Sequence, residues 1–250
     1  MGYDPAWFFG PASVAAHPLT VNQLLIIILS ESDFTDSEKD AVYRVIRERR
    51  DMRHFVDDPV EEAVLQRILQ AGLQAPSVGY MQPWRFVRVT DSALRQSIYD
   101  QVKAEIETTG DAVGAKKQAY MRLKLEGINE CAEIWVAALM EGRESYVLGR
   151  RTMPEMDLAS LSCAVQNIWL AARAEGIGVG WVSFFEPDNL ARLLGMPDDA
   201  FPAAILCIGH VEEFYSEPLL KTEGWDRQRK TADMVFENLW NVPSSLVDDP

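Results

Sequence analysis

The sequence is poor in the residues that build metal and nucleic-acid sites. Of 250 residues, three are histidine and three cysteine. His17, His54 and His210 are scattered and none is spaced as a ligand pair, so no metal site is expected. Cys131, Cys163 and Cys207 form no CxxC pair, which argues against a zinc knuckle or a disulfide framework and fits a reducing compartment. All three lie in apolar stretches and read as buried small hydrophobes. Positive charge is also scarce. Lys and Arg number 24 against 38 Asp and Glu, a net charge of −14. Nucleic acid and anionic membranes are bound through a basic face, so this balance weighs against both. Long apolar runs are absent. The longest near the N-terminus, Leu24 to Leu29, has six residues, whereas a bilayer span needs ~20. The first cation is Lys39, so the basic start of a signal peptide is missing and a cytoplasmic protein is expected. There is no G-x-S-x-G elbow, no Walker A loop and no internal repeat.

What is present is ordinary globular material, 48% apolar and 25% charged. Residues 1–34 mix Gly, Pro and aromatics without a sustained period and read as an N-terminal extension, either loosely ordered or packed on a neighbour. Residues 35–250 read as one domain. Thr35 and Glu38 have capping-box spacing, predicting a helix to about Arg49. Asp58-Pro59 predicts a second helix start, with a stripe of Val64, Leu65, Ile68, Leu69 and Leu73. Trp84 to Val89 alternates as a strand. Residues 92–109 and 115–128 read as polar-faced helices, and Ile134 to Leu139 as a buried strand. Asp157 to Glu175 is the strongest helix, apolar nearly all round and ended by Gly176, which places it centrally. Strands at Val179 to Phe184 and Ala203 to Ile208, a short helix at Asp188 to Leu194 and a tail helix at Thr231 to Leu239 complete the pattern. Helices dominate and strands are few, so the expected class is α+β with a small sheet surrounded by helices.

Four constellations stand out. Arg44, Arg47, Arg49, Arg50 and Arg53 place five guanidiniums within ten residues. A cation-decorated helix end accounts for Arg47 and Arg49. The continuation into Arg50 and Arg53 suits a forked anion site, most simply for phosphate. Asp51 sits among them, either as a local ion pair or as a carboxylate that takes and returns a proton. Residues 75–84, APSVGYMQPW, bridge a helix and a strand; they form a packed connection with Trp84 in the core or a rigid edge for a flat ligand. Gly176 to Ser183 runs helix, glycines, strand, the reverse of a dinucleotide fingerprint. Its glycines allow close backbone approach, and Ser183 falls on the strand on the same side as Trp181.

Together, Arg49-Arg50-Asp51-Met52-Arg53, Ala75-Pro76-Ser77 with Gln82-Pro83-Trp84, and Gly178 to Ser183 resemble the FMN-dependent nitroreductase family. The resemblance runs from about residue 37 to about residue 240. It is narrower to the branch of that family that consumes its flavin, because Asp51 stands where ordinary members usually carry serine. It implies a nitroreductase-like fold, with a small mixed or antiparallel sheet and a central helix. It implies a homodimer with flavin at the subunit interface. Arg49, Arg50 and Arg53 would hold the FMN phosphate and pyrimidine edge, with Asp51 and Met52 in the same segment. Ser77, Gln82, Pro83 and Trp84 would reach the flavin from the partner chain, and Gly180 would lie beside the ring. Arg227 or Arg229 would complete the phosphate site. Asp51 would be the general acid/base and Ser183 would position groups near the reacting ring. The implied reaction converts reduced FMN and O2 to 5,6-dimethylbenzimidazole, the lower ligand of vitamin B12, and erythrose 4-phosphate. FMN is then substrate, supplied by a separate flavin reductase with NAD(P)H as indirect reductant. The alternative is an NAD(P)H-dependent FMN nitroreductase or flavin reductase.

Overall fold

The computed structural model describes residues 33–247; all but the last two residues of the expected extension lie outside them. By its contacts the chain divides into a unit ending at Arg44 and a unit from Val45 onward. The described part of the first unit carries the expected capping box. The Thr35 N–H donates to Glu38 Oε2 at 2.7 Å, and the Glu38 N–H donates to Thr35 Oγ1 at 3.4 Å. This opens α1, Asp36–Glu48, which buries no side chain.

The second unit is built on a four-stranded antiparallel sheet. Its strands are β1 (Trp84–Val89), β2 (Glu133–Leu139), β3 (Gly178–Val182) and β4 (Phe201–Gly209), in the order β1-β2-β4-β3. The two middle strands are buried almost throughout, which is why both read as continuous apolar runs. Alternate residues serve two cores. Trp135, Ala137, Leu206 and Val179 face the pair α2 (Glu62–Leu73) and α5 (Met156–Ala174). Ile134, Val136, Ile205 and Cys207 face α3 (Ser92–Ala112) and α6 (Pro187–Leu193). Between these lies the short α4 (Lys117–Tyr120), and α7 (Leu219–Thr222) follows β4. The fold is α+β, as expected.

Four local expectations fail, each for a visible reason. Asp58 caps nothing. Val60 drops into the core first, and α2 starts only at Glu62 with no side-chain cap. The helix expected over 115–128 shrinks to α4. A Cβ at buried Gly127 would lie 2.5 Å from the Phe55 ring, so the chain there is drawn down onto the segment after Arg53. The tail helix is a single turn, Thr231–Asp233. Asn238 and Asn241 adopt positive φ, and the Glu237 N–H donates to the Val242 carbonyl, making a reversal where a helix was expected. Finally, α5 is not buried all round. It seats Leu161, Ala164, Val165 and Ile168 against the core but leaves Leu158 and Cys163 exposed. Cys131 and Cys207 are buried, as expected.

Among the described residues no helix is long and apolar enough to cross a membrane.

Candidate active site

The arginine segment leaves α1 and runs beside β3, at the open edge of the sheet. It is held there from three directions. Along β3, Asp51 makes a parallel bridge to Val179, and the Met52 N–H donates to the Val179 carbonyl at 3.0 Å. From α5, Trp169 Nε1 donates to the Arg50 carbonyl at 3.0 Å, and the Arg49 guanidinium lies 4.5 Å from the Trp169 ring centroid. From the chain after β4, the Ser216 carbonyl accepts Arg50 Nη2 at 2.6 Å, and the Tyr215 hydroxyl accepts the Arg53 N–H at 3.2 Å.

Gly180 is required by this arrangement. A Cβ there would fall well inside contact distance of the Met52 carbonyl oxygen and 3.3 Å from Arg53 Nη1. The close approach allowed by the glycine is therefore to the protein's own arginine segment. Gly180→Ala is expected to push that segment off β3 and cost about 1–3 kcal/mol, the usual penalty of overpacking. Urea denaturation would show the midpoint falling; an unchanged midpoint would mean the segment yields freely.

Asp51 is the centre of the cluster. Its Oδ1 accepts the Trp181 N–H at 2.9 Å, and its Oδ2 pairs with Arg53 Nη2, which also donates to the Trp181 carbonyl at 2.9 Å. Burial raises the Asp51 carboxyl above its ordinary range, against the opposing pull of Arg53, the Trp181 N–H and Arg49. Some 41% of its side chain nevertheless stays open to solvent, so a ligand can reach it. Burial likewise lowers the Arg49 guanidinium, opposed by Asp51. Two donors in the cluster, Arg50 Nε and Arg53 Nη1, are buried with no hydrogen-bond partner among the described residues. Two guanidiniums, Arg53 and Arg49, act on one carboxylate, with Arg50 held beside them on backbone carbonyls. With two N–H groups unmatched, the cluster fits an anionic oxygen ligand such as a phosphate.

The remaining candidates are spread out. Met52 is fully buried, so only its backbone faces the cluster. Ser183 lies one residue past the end of β3 and is exposed, not on the strand. The 75–84 loop packs elsewhere on the chain. Ser77 Oγ accepts the Gln82 N–H at 3.0 Å, and Ser160 Oγ accepts the Val78 N–H at 3.0 Å. Gly79, Tyr80 and Gln82 all have positive φ. Pro83 is buried, and Trp84 sits in the core, so the packed-connection reading of that residue is correct. Arg229 is exposed, 3.9 Å from Asp226, and takes no part in the cluster around Asp51. Trp169, Tyr215 and Ser216 were not anticipated. Each lies 119 or more residues from its partner, and no local pattern signals them.

The comparisons follow the same outline. The model of the nitroreductase family matches residues 46–210, from the end of α1 through β4. The chain is 39% identical over 201 residues to a 5,6-dimethylbenzimidazole synthase of Rhodobacter capsulatus, covering 80% of this chain and 97% of that one. It is 39% identical over 199 residues to the protein of the same name from Rhodospirillum rubrum, covering 78% and 94%. The chain belongs to the nitroreductase family. It is accordingly an enzyme of the oxidoreductase class. The fold agrees with that of a solved structure, the NADPH:FMN oxidoreductase from Vibrio harveyi complexed with NAD+. There the TM-score is 0.58 at 22% identity, covering 80% of this chain and 78% of that one. In this nitroreductase-family chain the matched segment opens within the arginine cluster, ahead of Arg47, and closes just after β4, so it includes Asp51 and the strand β3 that positions it.

Proposed function

We propose that this enzyme fragments reduced FMN with O2, giving 5,6-dimethylbenzimidazole and erythrose 4-phosphate, with the remainder of the pyrimidine ring leaving as a further fragment. The observation that carries the proposal is Asp51, a carboxyl gripped at both oxygens inside a cationic cluster. Bound FMN would supply both the electrons for O2 and the carbon skeleton of the product. Arg49 and Arg50 bind the anionic end of the flavin. Arg53, fixed to the Trp181 carbonyl, orients Asp51 toward the ligand. Asp51 holds a proton more readily than an exposed aspartate and can return it, as general acid/base chemistry requires. Gly180 keeps this edge close-packed. Ser183, exposed just beyond β3, positions groups near the ring, and Arg227 or Arg229, outside the cluster in the flavin-free chain, supplies the late cation once phosphate is bound.

The site is completed in a homodimer, with Ser77 and Gln82 entering from the partner chain on a segment that Pro83 and Trp84 anchor in their own chain's core. Two touching loops support this. Tyr80 and Leu148 are 83% and 77% exposed, on segments so close that a Cβ at Gly79 would lie 2.7 Å from the Leu148 carbonyl oxygen. Such an apolar pair calls for cover. Reduced FMN comes from a separate cytoplasmic flavin reductase that draws on NAD(P)H.

A single-turnover experiment tests the proposal. The protein is given chemically reduced FMN without oxygen, then air, and the products are separated by mass. A benzimidazole with matching loss of FMN is expected. Full recovery of oxidised FMN would overturn the proposal in favour of an NAD(P)H-dependent flavin reductase or nitroreductase.

A further inference from the structure

We propose that Tyr215 is a positioning residue for the arginine segment, working as a pair with His54; the proposal rests on the flavin-binding reading above. The chain leaving β4 doubles back along residues 48–56. The His210 carbonyl accepts the Val56 N–H at 3.0 Å. Phe214 receives the Arg173 guanidinium 4.0 Å from its ring centroid, and Arg173 in turn pairs with Glu48 at 2.9 Å. Ser216 takes Arg50, and the Tyr215 hydroxyl takes the Arg53 N–H.

Tyr215 does more than the others because it is shared. Its oxygen lies 2.6 Å from His54 Nδ1, with the two rings edge-on at 81°. An unprotonated Nδ1 accepts the tyrosine O–H, which makes the phenolic oxygen a better acceptor for the Arg53 N–H. The pair therefore fixes the main chain of Arg53 from the side opposite β3. The Arg53 side chain, in turn, is what grips Asp51. His54 is exposed, so replacing it leaves the core intact.

The test uses Tyr215→Phe, His54→Phe and His54→Asn, the last because its amide oxygen stands near the place of Nδ1. FMN and riboflavin are titrated by flavin fluorescence. Loss of one neutral hydrogen bond predicts about fivefold weaker FMN binding in Tyr215→Phe and His54→Phe. His54→Asn is expected within twofold of the parent, and riboflavin affinity is expected to hold in all three. Amide hydrogen exchange of the flavin-free protein gives a second arm. The segment around Arg53 should exchange faster in Tyr215→Phe and not in His54→Asn. Unchanged exchange would overturn the positioning role, as would equal losses for FMN and riboflavin or failure of His54→Asn to restore binding. Faster exchange in a protein that binds neither flavin would instead sustain the brace and sink the flavin reading.

Discussion

Asp51→Asn is expected to keep the fold and flavin binding while abolishing benzimidazole formation. The amide can still accept the Trp181 N–H through its oxygen, so the link to β3 survives. It cannot carry the proton that an acid/base role demands. Loss of a general acid/base costs roughly 10²–10⁴ in rate, which places product near the detection floor of a single-turnover assay. Normal yield from this variant would remove Asp51 from the chemistry. Stability supplies a second, independent sign. Burial raises the folded carboxyl, so the native state binds this proton more tightly than the unfolded chain does. The associated stability is present below the unfolded value of about 4 and is lost as pH rises through the folded one. Asn removes the titration. The melting temperature of Asp51→Asn relative to the parent is therefore expected to rise from acid toward neutral pH; a falling difference would show that Arg53 over-compensates the burial.

Arg50→Ala has the other large expected effect, on affinity. A charge-assisted contact to phosphate is worth about 1.5–3 kcal/mol, which weakens FMN binding about 10- to 150-fold. The same guanidinium holds the Arg47, Arg49 and Ser216 carbonyls at 2.6–2.8 Å, so the variant also loosens its own segment. Arg50→Lys separates the two contributions. It keeps the charge but not the fork, and is expected to fall between the parent and Arg50→Ala for FMN. Riboflavin, which lacks the phosphate, is expected to discriminate little between Lys and Ala. Equilibrium dialysis reads all four cases, and an unchanged FMN dissociation constant in Arg50→Ala would place the phosphate elsewhere.

The outline of the molecule was legible because most of its elements are set by short-range pattern. The Thr35–Glu38 box, the two buried strands and the Gly176 end of α5 each depend on neighbours within a turn or on a continuous apolar run. Misplaced boundaries arose where a distant contact outbid a local signal. Asp58-Pro59 is a sound helix start until Val60 is needed in the core. Residues 115–128 are a sound helix until Gly127 must lie under the Phe55 ring. The tail from Thr231 to Leu239 has helical spacing, but Asn238 and Asn241 turn it.

The candidate site divides in the same way. By itself the sequence determined which charges are available. Five arginines and one aspartate within ten residues, in a chain of net charge −14, are a matter of composition and order. The sequence equally determined that the glycines near residue 180 must allow a close approach. Only the tertiary structure decided what approaches. The main chain of Met52 fills the space at Gly180. Trp181 reaches Asp51 with its backbone N–H and Arg53 with its carbonyl, which no pattern of side chains encodes, while Tyr215 and Ser216 return from more than 160 residues away to brace Arg53 and Arg50. Charge is a property of residues and can be counted along the chain. The orientation of that charge depends on hydrogen bonds between segments that meet only when the sheet closes its β3 edge.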